Sequence, residues 1–268
     1  LGEYNVALEE MWKNLPDYVQ GAGSTICVTD GSGSMTMHIG NSNVAALSVA
    51  NALSIYFAER CLGEFKDKYI TFSENPQLVD LSKGKTLRDK LGIAITYCEV
   101  ANTNVEAAMD LILNTAIQKK LPQSDLPARL YIFSDMEFNA CMVGNGEYDT
   151  WGYSRHRSND YFKTLFEKIE NKFARAGYKM PKVTFWNLQC RNEKNIPAIG
   201  DNFNYISGFS MSQMESVMSG KTAWDMCLEV LLGKRYEAVS AEDATKYTRT
   251  KAKTANSRPF EDKPWAGR

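Results

Sequence analysis

The chain has 268 residues, 31 basic and 32 acidic side chains with a formal net charge of −1, and two histidines. This balance excludes a protein that acts through bulk charge, and two histidines are too few for a zinc site with three histidine ligands. The sequence has no apolar run of roughly 18 residues and no signal-peptide pattern, so we expect a cytoplasmic or otherwise intracellular protein.

Short apolar runs rich in β-branched and aromatic residues alternate with longer helical patterns. The runs that we interpret as strands are 24–30, 68–72, 77–81, 130–134, 183–188 and 204–209. The patterns that we interpret as helices are 43–61, 86–95, 104–120, 161–176 and 211–232, and we expect Ser42 or Asn43 to cap the first of them. This alternation predicts an α/β fold with a doubly wound, mostly parallel sheet of about six strands, in which 68–81 supplies one antiparallel edge strand.

Composition divides the chain into three parts. We predict a helical extension over 1–21, a main domain over 22–233 with a long loop at 139–159, and a basic, flexible tail over 234–268.

The six cysteines are scattered singly and none lies in a Cys-x-x-Cys pair. Such cysteines are typical of reduced thiols in the core of an intracellular protein.

Polar side chains follow two of the predicted strands. Asp30, Ser32 and Ser34 lie on a glycine-spaced turn, Asp135 follows the fourth main strand, and Thr103 precedes a helix. The carboxyl ends of parallel strands meet at one edge of a sheet, so these oxygen ligands can converge there. Hard oxygen ligands favour Mg²⁺, Ca²⁺ or Mn²⁺, although the serines and threonine could instead only cap helices and hold loops.

This pattern resembles the von Willebrand factor A domain and its metal-ion-dependent adhesion site, which is Asp-x-Ser-x-Ser, then a Thr, then an Asp, on successive loops. The resemblance covers roughly 22–232 and implies that the main domain is an A-like domain. It implies that Asp30, Ser32 and Ser34 hold Mg²⁺, or Ca²⁺ or Mn²⁺, that Thr103 binds directly or through water, and that Asp135 acts mainly through water. The remaining coordination position would accept a carboxylate from a protein partner.

A narrower resemblance rests on the residues around the site. The 133–138 and 71–76 segments and the loop at Thr103 are similar to an uncharacterised family of intracellular A-domain proteins related to the TROVE/Ro RNA-binding proteins. In the Ro type, a helical-repeat ring that precedes the A domain binds RNA. This resemblance implies that RNA contacts would come from an upstream region.

We therefore expect a divalent-cation-dependent binding module that mediates protein–protein interaction within a larger assembly. The alternatives are an RNA-associated protein of the TROVE/Ro type and a structural subunit of a viral or other multi-subunit particle. We do not expect an enzyme, because the sequence has no Gly-x-Ser-x-Gly elbow, Walker loop or Gly-x-Gly-x-x-Gly.

The long loop interleaves aromatic residues with arginines. Such residues can stack on bases and neutralise phosphates, or form the centre of a protein interface. The residues predicted to contact a partner are Glu137, Tyr148, Trp151, Tyr153, Arg155 and Arg157. The 246–258 segment adds five basic residues and no acidic one, which can hold nucleic acid or remain solvated.

Overall fold

The computed structural model describes residues 2–19, 24–73, 75–97, 104–135, 158–189, 203–208, 224, 227–228 and 231–233. They fall into two compact units, Leu1–Ser219 and Gly220–Arg268. In the second unit, Trp224 and Cys227 are helical and exposed. Across these ranges, no helix has the length and apolarity needed to cross a membrane.

The first unit is built on one sheet. Its described strands are β1 (Thr25–Asp30), β2 (Lys68–Phe72), β3 (Leu78–Asp80), β4 (Arg129–Ser134), β5 (Lys182–Asn187) and β6 (Phe203–Ser207). Their order is β3-β2-β1-β4-β5-β6, in which only the β2–β3 pair is antiparallel. The predicted fold class is therefore confirmed, including the antiparallel edge strand. The chain reverses its direction of travel across the sheet between β1 and β4, which is the position where ligands bind in such folds.

The described helices are α1 (Val6–Lys13), α2 (Ala46–Arg60), α3 (Leu87–Thr96), α4 (Val105–Lys119) and α5 (Ser158–Arg175). Side chains cap α3 and α4: Thr86 and Asp89 form a capping box, and Asn104 accepts a hydrogen bond from the backbone of Ala107.

The predicted cap of α2 is wrong. The helix begins at Ala46 after Ala45, and neither Ser42 nor Asn43 caps it. The reason is a short ribbon that precedes the helix: Ile39 N–H donates to the carbonyl of Val44, and the N–H of Ala46 donates to the carbonyl of Met37. These bonds keep Val44 and Ala45 out of the helix, so the helix starts three residues later than the apolar pattern indicates.

The sheet carries a core on each face. On the α4/α5 face, Ile26 and Val28 of β1 pack with α4 and α5, and on the α2 face Cys27 packs with α2. Phe57 of α2 stacks on Tyr131 of β4 with ring centroids 5.1 Å apart. Because side chains alternate along a strand, the last residues of β1, β4 and β5 continue the α4/α5 face. Asp30, Ser134 and Asn187 therefore share one face of the sheet at the carboxyl ends of their strands, which we call the carboxyl edge.

An ion-pair network joins α4 to α5. Lys172 Nζ lies 2.7 Å from Glu106 Oε1 and 2.7 Å from Asp110 Oδ2, and Lys168 Nζ lies 2.7 Å from Glu106 Oε1. Burial alone would raise the pKa of Glu106, but the hydrogen bonds and charges of the two lysines outweigh it and hold that pKa below its ordinary value.

The described cysteines divide between core and surface. Cys27 and Cys61 are buried free thiols, as the sequence predicts, and burial raises the pKa of both. Cys227 is also a free thiol, but it is exposed, so the expectation that it lies in the core is wrong. The helical pattern around Cys227 indicates a helix but does not fix which side chains of that helix face inward.

Candidate functional site

The turn after β1 gathers three of the predicted site residues. Asp30 is buried, with 1% of its surface exposed, and its Oδ1 accepts a hydrogen bond from the N–H of Ser32 at 2.9 Å. The hydroxyls of Ser32 and Ser34 lie 3.0 Å apart, at the start of a short 3₁₀ turn over Gly33–Thr36. Ser32 and Ser34 are partly exposed, so this cluster of oxygens opens to the surface.

The end of β4 supplies a second buried carboxyl group, which the sequence predicted, and a hydroxyl group, which it did not. Asp135 directly follows β4 and is 2% exposed. Ser134, which is fully buried, donates its hydroxyl hydrogen to Asp30 Oδ2 at 2.6 Å. Thr29 pairs with Phe133 in the β1–β4 register, which places Asp30 beside Ser134. Both carboxylate oxygens of Asp30 are thus fixed by donors, one from its own turn and one from the neighbouring strand.

The electrostatics of this edge favour a bound positive charge. Burial raises the pKa of Asp30 above its ordinary value, and the Asp135 carboxylate adds to the rise. Hydrogen bonds from Ser134 and Ser32 act in the opposite direction without reversing it. Among the residues that the structure describes, no Lys, Arg or His forms an ion pair with Asp30. A cation at this position would therefore stabilise the ionised carboxyl group.

The polar edge continues onto β5 and β6. Asn187 is fully buried, is in register with Ser134, and donates its amide hydrogen to the hydroxyl of Tyr205 at 2.5 Å. Gln189 donates to the carbonyl of His38 at 2.7 Å and so links the loop after β5 to the loop after β1. The amide oxygens of Asn187 and Gln189 are buried and accept no hydrogen bond within the described ranges. The polar Asn at the end of the apolar run 183–188 was a signal that could have indicated this residue.

The remaining predicted site residues lie outside the described residues. They are Thr103, Glu137, Tyr148, Trp151, Tyr153, Arg155 and Arg157. No cluster of three or more His, Cys, Asp or Glu side chains suited to a metal is present among the described residues. The predicted site differs from such a cluster because it draws two carboxyl groups and three hydroxyl groups from separate loops.

Comparison with known proteins identifies similar chains. The uncharacterized protein L728 of Acanthamoeba polyphaga mimivirus is 30% identical over 236 residues, which cover 85% of this chain. This chain spans 37% of the length of that relative.

Similar solved structures include A-type domains. The Deinococcus radiodurans Ro (RSR) protein is 16% identical with a TM-score of 0.46, covering 79% of this chain and 36% of that one. The SpRpn10 VWA domain is 11% identical with a TM-score of 0.39, covering 74% of this chain and 95% of that one. BatB from Bacteroides thetaiotaomicron is 12% identical with a TM-score of 0.38, covering 74% and 96%. At identities of 16% or less and TM-scores of 0.46 or less, these similarities do not show that this chain shares the function of any of the three proteins.

A family match covers most of the chain. The family described as a domain of unknown function, DUF7788, matches residues 24–261. This range takes in the whole described sheet and both polar strand ends, Asp30 and Asp135. The chain therefore belongs to the DUF7788 family.

Proposed function

We propose that the carboxyl edge holds a divalent cation, and that the domain is a binding module, rather than an enzyme, whose cation accepts an oxygen ligand from a protein partner. The observation that carries this proposal is the Asp30–Ser32–Ser34 turn. It sets two hydroxyl oxygens side by side next to a buried carboxyl group.

The spacing of the two hydroxyls fits an octahedral cation. Neighbouring ligands of Mg²⁺ lie at 2.0–2.1 Å from the metal and at right angles, so their oxygens are about 2.9–3.0 Å apart. The oxygens of Ser32 and Ser34 are 3.0 Å apart. The two hydroxyls share a hydrogen bond at this distance, and a cation that replaced it would find both oxygens at ligand spacing.

Each residue has a distinct part in this proposal. Ser32 and Ser34 would bind the cation directly, while Asp30 and Asp135 would supply the negative charge that balances it. Ser134 would orient Asp30 through its hydrogen bond. Thr103 would add a further oxygen ligand. A bound Mg²⁺ would supply a coordination position that exchanges water for a partner's carboxylate, which is the chemistry that this ion offers at such sites.

The surroundings of the turn favour a protein as the partner. Met37 and Val44 lie on the ribbon that follows the turn, and they are 51% and 42% exposed. Their extended segments are joined by the hydrogen bond between Ile39 and Val44. Exposed apolar side chains next to polar groups are a common feature of protein interfaces.

Titration with Mn²⁺, followed by electron paramagnetic resonance of the free ion, tests the cation site. We expect one tightly bound ion for the unaltered chain and for the control Ser48→Ala, which removes an exposed hydroxyl on α2. We expect the double variant Ser32→Ala, Ser34→Ala to bind at least about tenfold more weakly, since even residues that only orient metal ligands contribute that much. Equal affinities for all three proteins would contradict the proposal.

Selection of random peptides displayed on phage tests the nature of the partner. Peptides that bind the unaltered chain in Mg²⁺ and are released by EDTA are expected to be enriched in Asp and Glu. The Ser32→Ala, Ser34→Ala protein should fail to retain them. Peptides that EDTA releases but that carry no acidic residue would contradict a carboxylate ligand while leaving the cation site itself intact.

A further inference from the structure

Basic residues lie around the opposite edge of the sheet, on both of its faces. At this amino edge, β4 begins with Arg129 and β5 begins with Lys182, while α4 is followed by Lys120, α5 ends at Arg175, and Lys179 lies in the connection to β5. All of them are exposed except Arg129, which is half-buried. We call these five residues the amino-edge patch.

The described part of the chain offers the patch no ion-pair partner. Among the described residues, none of its five members takes part in an ion pair, whereas the adjacent Lys119 lies against Glu64. The 121–128 loop that runs between the patch residues contains one acid, Asp125. Since the whole chain has a net charge of −1, this local excess of positive charge is a property of the fold and not of the overall composition.

Two of these cations are direct neighbours in the sheet. Arg129 and Lys182 are register partners on adjacent parallel strands, so their Cα atoms are separated by about the distance between strands, ~4.8 Å. Like charges at such positions are destabilising. Burial raises the pKa of the Tyr131 hydroxyl, and the positive charge of the Arg129 guanidinium acts in the opposite direction. An anion that binds both cations would relieve the repulsion.

The backbone beneath the patch is held by specific hydrogen bonds. The N–H of Lys179 donates to Gln123 Oε1 at 2.7 Å, and the hydroxyl of Tyr178 donates to the carbonyl of Leu121 at 2.9 Å. The N–H of Lys182 donates to the carbonyl of Ala128 at 2.9 Å. Basic residues near helix C-termini interact favourably with the helix dipole, which accounts for Lys120 and Arg175. It does not account for Arg129, Lys179 and Lys182, which lie outside helices.

We propose that the amino-edge patch binds the phosphate backbone of a nucleic acid. Interfaces with nucleic acids are polar and strongly basic, and most of their contacts are made to phosphate oxygens. A protein partner would instead require apolar or aromatic anchors at the centre of the surface. The five patch residues are all charged, and the nearest aromatic ring in sequence, Tyr178, is half-buried with its hydroxyl committed to the backbone. The patch residues are also distinct from the loop and tail residues for which the sequence alone suggested RNA contacts.

Fluorescence anisotropy with a labelled oligouridylate tests this proposal on the unaltered chain in EDTA, which removes any effect of the cation site. The variant Lys179→Gln, Lys182→Gln is compared with the control Lys83→Gln, Lys85→Gln. The control removes two exposed lysines beside β3, at the other end of the sheet. The basic tail is the same in all three proteins, so the comparison isolates the patch.

The size of the effect expected for the patch variant follows from the salt dependence of nucleic-acid affinity. Each phosphate contact with a single strand contributes about 0.7 to the slope of log affinity against log salt, so the patch variant should lose about 1.4 in slope. Between 50 and 200 mM salt, that loss makes the fall in affinity about sevenfold smaller than for the unchanged chain. The control variant should keep the slope of the unchanged chain, and an oligothymidylate should bind like the oligouridylate because the backbone charge is shared.

Three results would overturn the proposal. The first is no binding at 50 mM salt, where five phosphate contacts should be strong. The second is an equal change of slope in the patch and control variants. The third is tighter binding, with the same dependence on Lys179 and Lys182, to oligoglutamate or to vesicles containing phosphatidylserine. None of these results would bear on Mn²⁺ binding at the carboxyl edge, so this proposal and the proposed function fail separately.

Discussion

The hydrogen bond between Ser134 and Asp30 yields a quantitative prediction. Ser134→Ala removes one hydroxyl from a fully buried position and leaves Asp30 Oδ2 without the donor that now lies 2.6 Å away. The change in volume is small, so the effect reports the hydrogen bond and not a cavity. The second donor to Asp30, the N–H of Ser32, belongs to the backbone and is unchanged.

The expected loss of unfolding free energy follows from the acceptor of this hydrogen bond, which is a carboxylate. Hydrogen bonds to charged groups contribute about 1.5–3 kcal/mol, and a buried acceptor left without a donor costs a comparable amount. We therefore expect Ser134→Ala to lower the free energy of unfolding by about 2 kcal/mol. The control is Ser54→Ala, which removes a buried hydroxyl bonded to the hydroxyl of Thr29 on the α2 face. That neutral pair should contribute about 1 kcal/mol.

Equilibrium urea unfolding in EDTA, followed by tryptophan fluorescence, measures both variants. A Mn²⁺ titration of the same proteins separates stability from function, because Ser134→Ala should weaken cation binding about 10–100-fold while Ser54→Ala should leave it unchanged. A stability loss for Ser134→Ala no larger than that for Ser54→Ala, together with unchanged cation affinity, would refute the role of this hydrogen bond.

Three further predictions concern the fold. Phe57→Ala empties a fully buried site between α2 and the sheet and should lower the free energy of unfolding in urea by about 3–5 kcal/mol. Thr86→Ala removes the N-cap of α3 and should cost about 1 kcal/mol by the same assay, with faster amide exchange in the first turn of α3. Glu106→Gln should cost up to about 1 kcal/mol at neutral pH and low salt, because the carboxylate bonds Lys172. Since the folded-state pKa of Glu106 is depressed, this contribution is lost as pH falls through that pKa, so the variant and the parent should converge in acid.

The strands were predictable because the buried central positions of a parallel sheet demand continuous apolar, β-branched and aromatic side chains. The runs 68–72 and 130–134 match β2 and β4 to within one residue. The start of α2 was not predictable from the apolar pattern. The apolar residues that precede Ala46 belong to a ribbon whose hydrogen bonds are made to Met37 and Ile39, and helical periodicity carries no signal of that pairing.

Some residues of the candidate site could be predicted from the sequence, and others could not. Asp30, Ser32 and Ser34 are close in sequence, so their spacing alone brings them together. Ser134 and Asn187 are remote in sequence and reach the site only through the register of β1, β4 and β5. The apolar run 130–134 predicts that Ser134 ends a strand but does not pair it with Asp30, because a shift of one residue in register would turn its side chain to the other face.

The most direct test of the proposed cation site is a crystal soaked in Mn²⁺ and measured near the manganese absorption edge. We expect one anomalous peak at the carboxyl edge, within about 2.0–2.6 Å of the hydroxyl oxygens of both Ser32 and Ser34. A peak at another position, or no peak under conditions in which the protein binds Mn²⁺ in solution, would contradict the assignment of the site to this turn.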